Sequence, residues 1–189
     1  MLRNCFVYGV FAIVISGCSL VAQKPVDDYR LLAMQHLQQQ KNWSLDGRLA
    51  LADDKDSVSL SINWRHDPFL DELDLMGPLG QGRVKISVTS NRVVVDDGDS
   101  RKVFDGQANA IISEQLGVDL PIESLKYWVL GVSDPRLAFT EQPGGFYQAG
   151  WLVRYREMQD VNSDTLPKKM TAEKDKARIK LIVDQWILS

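Results

Sequence analysis

Histidine and cysteine are scarce in this sequence, and their scarcity excludes several kinds of site. Only two histidines are present, His36 and His66, so a histidine-rich metal centre or proton relay is not expected. The two cysteines, Cys5 and Cys18, both lie near the start, so no disulfide can crosslink the body of the fold. We therefore expect neither a metal nor a cofactor.

The sequence also lacks a strong net charge and the common catalytic motifs. Its formal net charge of −3 and pI of about 5.4 give no overall field for attracting phosphate backbones, so we expect no nucleic-acid partner. It contains no G-x-S-x-G elbow, P-loop, C-x-x-C or H-E-x-x-H spacing. We therefore do not expect an enzyme, although a catalytic site assembled from distant residues stays open.

Two clusters of residues resemble a phosphate-binding loop and a catalytic acid–base pair, but each has a simpler structural explanation. The glycine-rich run at 77–82 lies between two predicted strands and has no helix after it, unlike a phosphate-binding loop. The carboxylates Asp71, Glu72 and Asp74 fall in a predicted strand, and we interpret them as a solvated strand face rather than an acid–base pair.

The N-terminus has the pattern of a processing signal. A short apolar run follows Arg3 and is too short to span a bilayer, but it fits a secretory signal. It ends in Ile15-Ser16-Gly17-Cys18, which resembles the lipobox of bacterial lipoproteins. The resemblance implies cleavage before Cys18 and lipid attachment to its thiol. The alternatives are a short transmembrane anchor or an ordinary secreted protein with a chance cysteine.

This processing divides the chain into three parts. Residues 1–17 are the predicted signal peptide, 18–26 a lipidated tether, and 27–189 a single domain. Several acyl chains would hold the protein stably on a membrane. In lipoproteins of Gram-negative bacteria an aspartate after the cysteine commonly signals inner-membrane retention, so Ser19 implies the periplasmic face of the outer membrane.

The 189 residues, 44% of them hydrophobic, are enough for one substantial domain, which we predict to be mainly β with a few helices. A helix is predicted from Asp27, with an apolar stripe that includes Leu32 and Leu37 and a half-buried His36 at its edge. Further helices are predicted at 108–116 and 121–130, and strands at 43–52, 57–64, 70–76, 83–88, 92–96, 101–104, 150–156, 168–173 and 178–187. Short strands at regular spacing are typical of a barrel or sandwich.

Apolar side chains alternate along these strands and would share one face of the sheet. Such an interior is either a packed core or an unfilled apolar cavity, and periodicity does not distinguish the two. The candidates for lining such a cavity are Leu49, Leu51, Val58, Leu60, Ile62, Trp64, Val84, Ile86, Trp128, Val153 and Leu181.

The order of several motifs resembles the LolB family of outer-membrane lipoprotein receptors. The resemblance rests on Gly47-Arg48-Leu49, Gly77-Pro78-Leu79-Gly80, Leu120-Pro121-Ile122, Trp128-Val129-Leu130-Gly131 and Arg178-Ile179-Lys180-Leu181. Gly77 departs from the asparagine expected before the proline. The resemblance implies an incomplete antiparallel β-barrel with a helical lid over a hydrophobic cavity.

The same resemblance implies a function and its partners. Such a protein accepts the acyl chains of lipoproteins from the periplasmic carrier LolA and delivers the cargo to outer-membrane lipids; we expect a monomer. Leu79, with Met76, would enter the membrane from an exposed loop, although an exposed leucine is often ordinary surface. Two alternatives remain: a lipid-anchored assembly factor with a solid core, or a small periplasmic enzyme.

Overall fold

The computed structural model describes residues 29–80, 82–117 and 119–189, without the side chain of Leu79. The predicted signal peptide, Cys18 and the tether lie outside the described residues. The helices are α1 Leu31–Met34, α2 Ala108–Leu116 and α3 Ile122–Trp128, with 3-10 segments at Gln35–Gln39 and Pro78–Gly80. The strands are β1 Trp43–Ala52, β2 Ser57–His66, β3 Asp71–Met76, β4 Val84–Val88, β5 Arg92–Asp96, β6 Arg101–Asp105, β7 Phe139–Gln142, β8 Gly145–Gln148, β9 Trp151–Val161, β10 Asp164–Lys174 and β11 Ala177–Leu188.

The strands form one antiparallel sheet that does not close. Its 11 strands run in the order β6-β5-β4-β3-β2-β1-β11-β10-β9-β8-β7, so β6 and β7 are the edges. The first and last strands of the chain, β1 and β11, pair in the middle of the sheet. Every other neighbour follows its partner directly in sequence, as expected for hairpin connections between antiparallel strands.

One face of this sheet, which we call the inner face, carries the core. Leu49 pairs with Leu60 on one side and Leu181 on the other, and Ile62 pairs with Leu75. The buried residues of α2 and α3 belong to the same apolar cluster, so the two helices cover this face. The predicted class is therefore confirmed: a mainly β, unclosed antiparallel barrel with helices over its interior.

A β-bulge at Gly47 interrupts the central pair β1–β11. The register of the two strands shifts between Asp46 and Gly47. A Cβ atom at Gly47 would lie 2.2 Å from the backbone oxygen of Ile182, which no side chain could tolerate without backbone movement. Only glycine therefore fits this close approach, and the bulge adds local twist to the middle of the sheet.

The N-terminal helical segment differs from the prediction. Its buried side chains are three residues apart, at Leu31, Met34 and Leu37, because most of the segment is 3-10 helix with three residues per turn. Leu32, expected on the apolar stripe, is 73% exposed. His36 is also exposed, with its Nε2 atom 2.6 Å from Asp164 Oδ1, so the prediction of a half-buried packing histidine is wrong.

The sequence patterns missed the hairpin formed by β7 and β8. All four residues of β7 are exposed, so its sequence shows no apolar alternation. The predicted strands β9 and β10 are also longer than expected, since they continue to Val161 and begin at Asp164. No helix within the described ranges has the length and apolarity needed to cross a membrane.

Candidate functional site

The eleven candidates for a cavity lining fall into three groups by their exposure to solvent. Eight are buried in the continuous core: Leu49, Leu51, Ile62, Trp64, Ile86, Trp128, Val153 and Leu181. Leu60 and Val84 are half-buried, and Val58 is 39% exposed. Val58 lies in the part of β2 that extends beyond its pairing with β3, which begins at Ser61. The inner face is thus an apolar surface whose open end lies near Val58.

The C-terminal end of α3 is fixed to the sheet by two buried hydrogen bonds. The indole Nε1 of Trp128 donates to Gln148 Oε1 at 2.9 Å, and the hydroxyl of Tyr155 donates to the Trp128 carbonyl at 2.8 Å. Burial raises the pKa of Tyr155 well above its ordinary value, so the phenol stays a donor. Both bonds hold α3 against strands β8 and β9.

A second link joins α3 to the other half of the sheet through Asp71. Its Oδ1 atom accepts a hydrogen bond from Trp64 Nε1 at 3.0 Å and lies 2.7 Å from His66 Nδ1. Its Oδ2 atom lies 3.9 Å from Lys126 Nζ on α3. A buried carboxylate thus connects β2, β3 and the covering helix.

The prediction of a solvated carboxylate face is therefore wrong for Asp71 and right for its neighbours. Asp71 is 7% exposed because it shares the inner face with Leu73 and Leu75. Glu72 and Asp74 alternate to the other face, where they pair with arginines; Asp74 Oδ1 accepts from the Nε of Arg83 at 2.8 Å. Strand alternation alone separates the three carboxylates.

Helix α2 buries fewer side chains than α3 and is connected to it by hydrogen bonds from the amides of Leu120 and Glu123 to Ser113 Oγ and Asn109 Oδ1. Its buried residues are Ala108 and Ile112, whereas α3 buries Leu125 and Trp128 among others. α2 contacts α3 and strand β5. It ends at Gly117, which has the left-handed conformation typical of a helix C-terminus. Because it buries fewer side chains, α2 packs less extensively on the inner face than α3 does.

The turn predicted to enter a membrane follows the end of β3. The backbone of Leu79 lies in the 3-10 segment Pro78–Gly80, and its side chain is outside the described atoms. The amide of Gly80 donates to the Gly77 carbonyl at 3.2 Å, which closes the turn. Met76, the residue named with Leu79, is half-buried on the face opposite the core.

A pocket of about 420 Å³ lies beneath this turn, on the face of the sheet opposite the core, which we call the outer face. Arg48 pairs with Ile182 and Ser61, Ala50 with Lys180 and Ser59, and Ser61 with Met76, so these side chains share the outer face. Of the eleven cavity candidates only Leu49 and Leu60 contribute to the lining. Sequence reasoning missed the pocket because it considered only the apolar face of each strand.

Within the ranges that the structure describes, no group of three or more histidine, cysteine, aspartate or glutamate residues could hold a metal ion. The outer-face pocket beneath the turn is open to a ligand, whereas the inner face beneath α2 and α3 is filled by the apolar core.

Comparison with known proteins identifies a family. The family model described as "Outer membrane lipoprotein LolB" matches residues 41–186. The chain is 28% identical to the outer-membrane lipoprotein LolB of Marinomonas sp. (strain MWYL1) over 153 residues, which cover 77% of this chain and 80% of that one. It is 32% identical to the protein of the same name from Azoarcus sp. (strain BH72) over 151 residues, 76% of this chain and 77% of the other.

A solved structure, a LolA superfamily protein from Nitrosomonas europaea, has the same fold with a TM-score of 0.54 at 7% identity, covering 84% of this chain and 93% of the other. The family model extends from before β1 to near the end of β11, well over half of the chain. The relatives are outer-membrane lipoproteins, in agreement with the location expected from the lipobox and Ser19. The chain belongs to the LolB family of outer-membrane lipoproteins.

Proposed function

We propose that this protein, anchored to the outer membrane through lipid on Cys18, accepts acylated lipoproteins from the periplasmic carrier LolA and inserts them into that membrane. Membership of the LolB family supports this proposal. The observation that carries it is the continuous apolar inner face of an unclosed sheet. Two helices, α2 and α3, cover this face, and α2 buries fewer side chains than α3. Such a face can contact acyl chains along their length without forming covalent bonds.

The energetics favour a receptor of this kind. Each acyl CH₂ group exposed to water costs roughly 0.8 kcal/mol, so an acylated lipoprotein cannot cross the periplasm without a partner that covers its chains. The sequence has no nucleotide-binding motif, so the direction of transfer depends on differences in affinity. The receptor must bind acyl chains more tightly than the carrier and release them to the bilayer.

Acyl chains must displace part of the core to reach the inner face, because eight of its candidate residues are already buried. We propose that α2 is the part that moves. It buries Ala108 and Ile112 and packs Ile111 and Leu116 partly buried against the core, whereas Trp128 and Lys126 link α3 to both halves of the sheet. The chains would then lie against the inner face near β5 and reach the open end at Val58.

We further propose that the turn containing Leu79 contacts the membrane during delivery. The turn projects beyond the end of β3, and its leucine has glycine or proline on both sides. A buried leucine would gain roughly 1.5–3 kcal/mol from insertion into the apolar edge of the bilayer. Acceptance from the carrier does not need this contact, because the inner face and the turn are different surfaces.

The test is a two-step transfer assay with the protein in liposomes. A carrier loaded with a radiolabelled lipoprotein is added, and cargo bound to the protein is separated from cargo inserted in the bilayer. We expect both signals to rise with the amount of this protein. Cargo that stays on the carrier, or that moves equally well when its acyl chains have been removed, would overturn the receptor function.

A further inference from the structure

The outer-face pocket has the chemistry of a site for an anionic amphiphile. Its apolar lining comes from Ala50, Met76, Pro78 and Ile182, and its charged lining from Arg48 and Lys180. Among the residues that the structure describes, no carboxylate contributes to the lining. Its volume of about 420 Å³ falls in the range of small-molecule pockets, about 300–1,000 Å³.

The two cations differ in how free they are to bind a ligand. Arg48 is occupied by Asp184, whose Oδ1 accepts from Arg48 Nη2 at 2.8 Å and whose Oδ2 lies 3.2 Å from Arg48 Nε. Lys180 is exposed and forms no ion pair with any residue that the structure describes. Its strand neighbours on the same face are Ala50 and Thr171, which carry no charge. Lys180 is therefore the free positive charge of the pocket.

Two hydroxyl groups complete the polar side of the pocket. Ser59 and Ser61 lie on the same outer face as Lys180, both are exposed, and both contribute to the lining. Hydroxyl and ammonium groups are the donors that phosphate oxygens accept from. The apolar half of the pocket, in contrast, suits a few methylene groups.

We propose that this pocket binds the headgroup and upper acyl region of an anionic phospholipid of the membrane to which the protein is attached. The phosphate would lie at Lys180, Ser59 and Ser61, and the first methylene groups against Ala50 and Ile182. Charge complementarity and the apolar floor both favour a lipid over a free ion. The site lies under the turn of Leu79, so its occupation would hold that turn at the lipid surface.

The experiment uses the full-length protein, purified from membranes in a nonionic detergent, and native mass spectrometry. Dihexanoyl-phosphatidylglycerol is titrated, with dihexanoyl-phosphatidylcholine as the zwitterionic control. We expect selective binding of phosphatidylglycerol that inorganic phosphate does not displace at equal concentration. Equal binding of the two lipids, or displacement by phosphate alone, would overturn the proposal.

Three variants locate the site. Lys180→Gln should raise the dissociation constant about tenfold, the effect of losing one charge-assisted hydrogen bond. Ala50→Phe should fill the pocket and weaken binding while all charges remain. Lys169→Gln is the matched control, because Lys169 shares the outer face but pairs with Glu157 and does not line the pocket.

The binding constant of the control variant should change less than twofold. If Lys169→Gln weakens binding as much as Lys180→Gln, a diffuse positive surface binds the lipid and the pocket does not. Unchanged binding in Ala50→Phe would also contradict the proposal. Lipoprotein transfer is measured separately, so failure of this site and failure of the proposed receptor function give different results.

Discussion

Replacing Asp71 by alanine should destabilise the protein far more than replacing a carboxylate on the outer face of the same strand. The change removes the acceptor of Trp64 Nε1, which is fully buried, and the partner of His66 Nδ1. A buried donor left without a partner costs about 1–3 kcal/mol. For two such groups, one of them only partly buried, we expect a loss of roughly 2–4 kcal/mol in the free energy of unfolding.

Asp74→Ala is the matched control for this prediction. Asp74 lies on the same strand but on the outer face, where its pair with Arg83 is partly exposed to solvent. Ion pairs of this kind contribute about 0–1 kcal/mol. Both variants are unfolded in urea and followed by tryptophan fluorescence, with the slope m checked for each. Equal losses in the two variants would refute the role of Asp71 as the buried acceptor of Trp64 and His66.

Three further predictions follow from the anchor, the turn and the outer face. Cys18→Ala should abolish lipidation because only the thiol can accept the lipid, and acyl mass on this variant by mass spectrometry would contradict it. Leu79→Glu should leave acceptance from LolA nearly intact and reduce delivery to liposomes at least tenfold, since a carboxylate resists insertion; equal losses in both steps would make Leu79 a structural residue. Hydrogen bonds from Lys168 and Lys169 lower the pKa of Glu157 from 4.5 to about 2, so its stabilising contribution should be present above about pH 4.5 and be lost as the pH falls through about 2. A carboxyl titration by NMR checks this value, and a midpoint near 4.5 would contradict the two contacts.

Strand alternation predicted most of the sheet correctly. A strand that is buried on one face carries apolar residues at every second position, and this pattern is visible in the sequence. Val58, Leu60, Ile62 and Trp64 alternate with polar residues, and they form β2 as predicted. Alternation does not show over what length each strand pairs with its neighbours. Val58 is exposed because β3 ends before it, a fact that only the register of the sheet contains.

The errors of prediction came from features that depend on contacts between distant parts of the chain. β7 is an exposed edge strand and exists because it pairs with β8, so its own sequence shows no periodicity. A polar strand residue such as Asp71 is expected in solvent, yet Asp71 is buried, where Trp64, His66 and the cation on α3 face its carboxylate. The outer-face pocket requires side chains from four strands and a turn, which no local pattern connects.

The central claim is that acyl chains bind to the inner face of the sheet, and photocrosslinking tests it most directly. A lipoprotein whose acyl chain carries a diazirine is transferred from LolA to this protein, illuminated, and the labelled residues are mapped by mass spectrometry. The account predicts labels on inner-face residues such as Leu49, Leu181 and Trp128. Labels confined to outer-face residues such as Ala50 and Ile182 would contradict it.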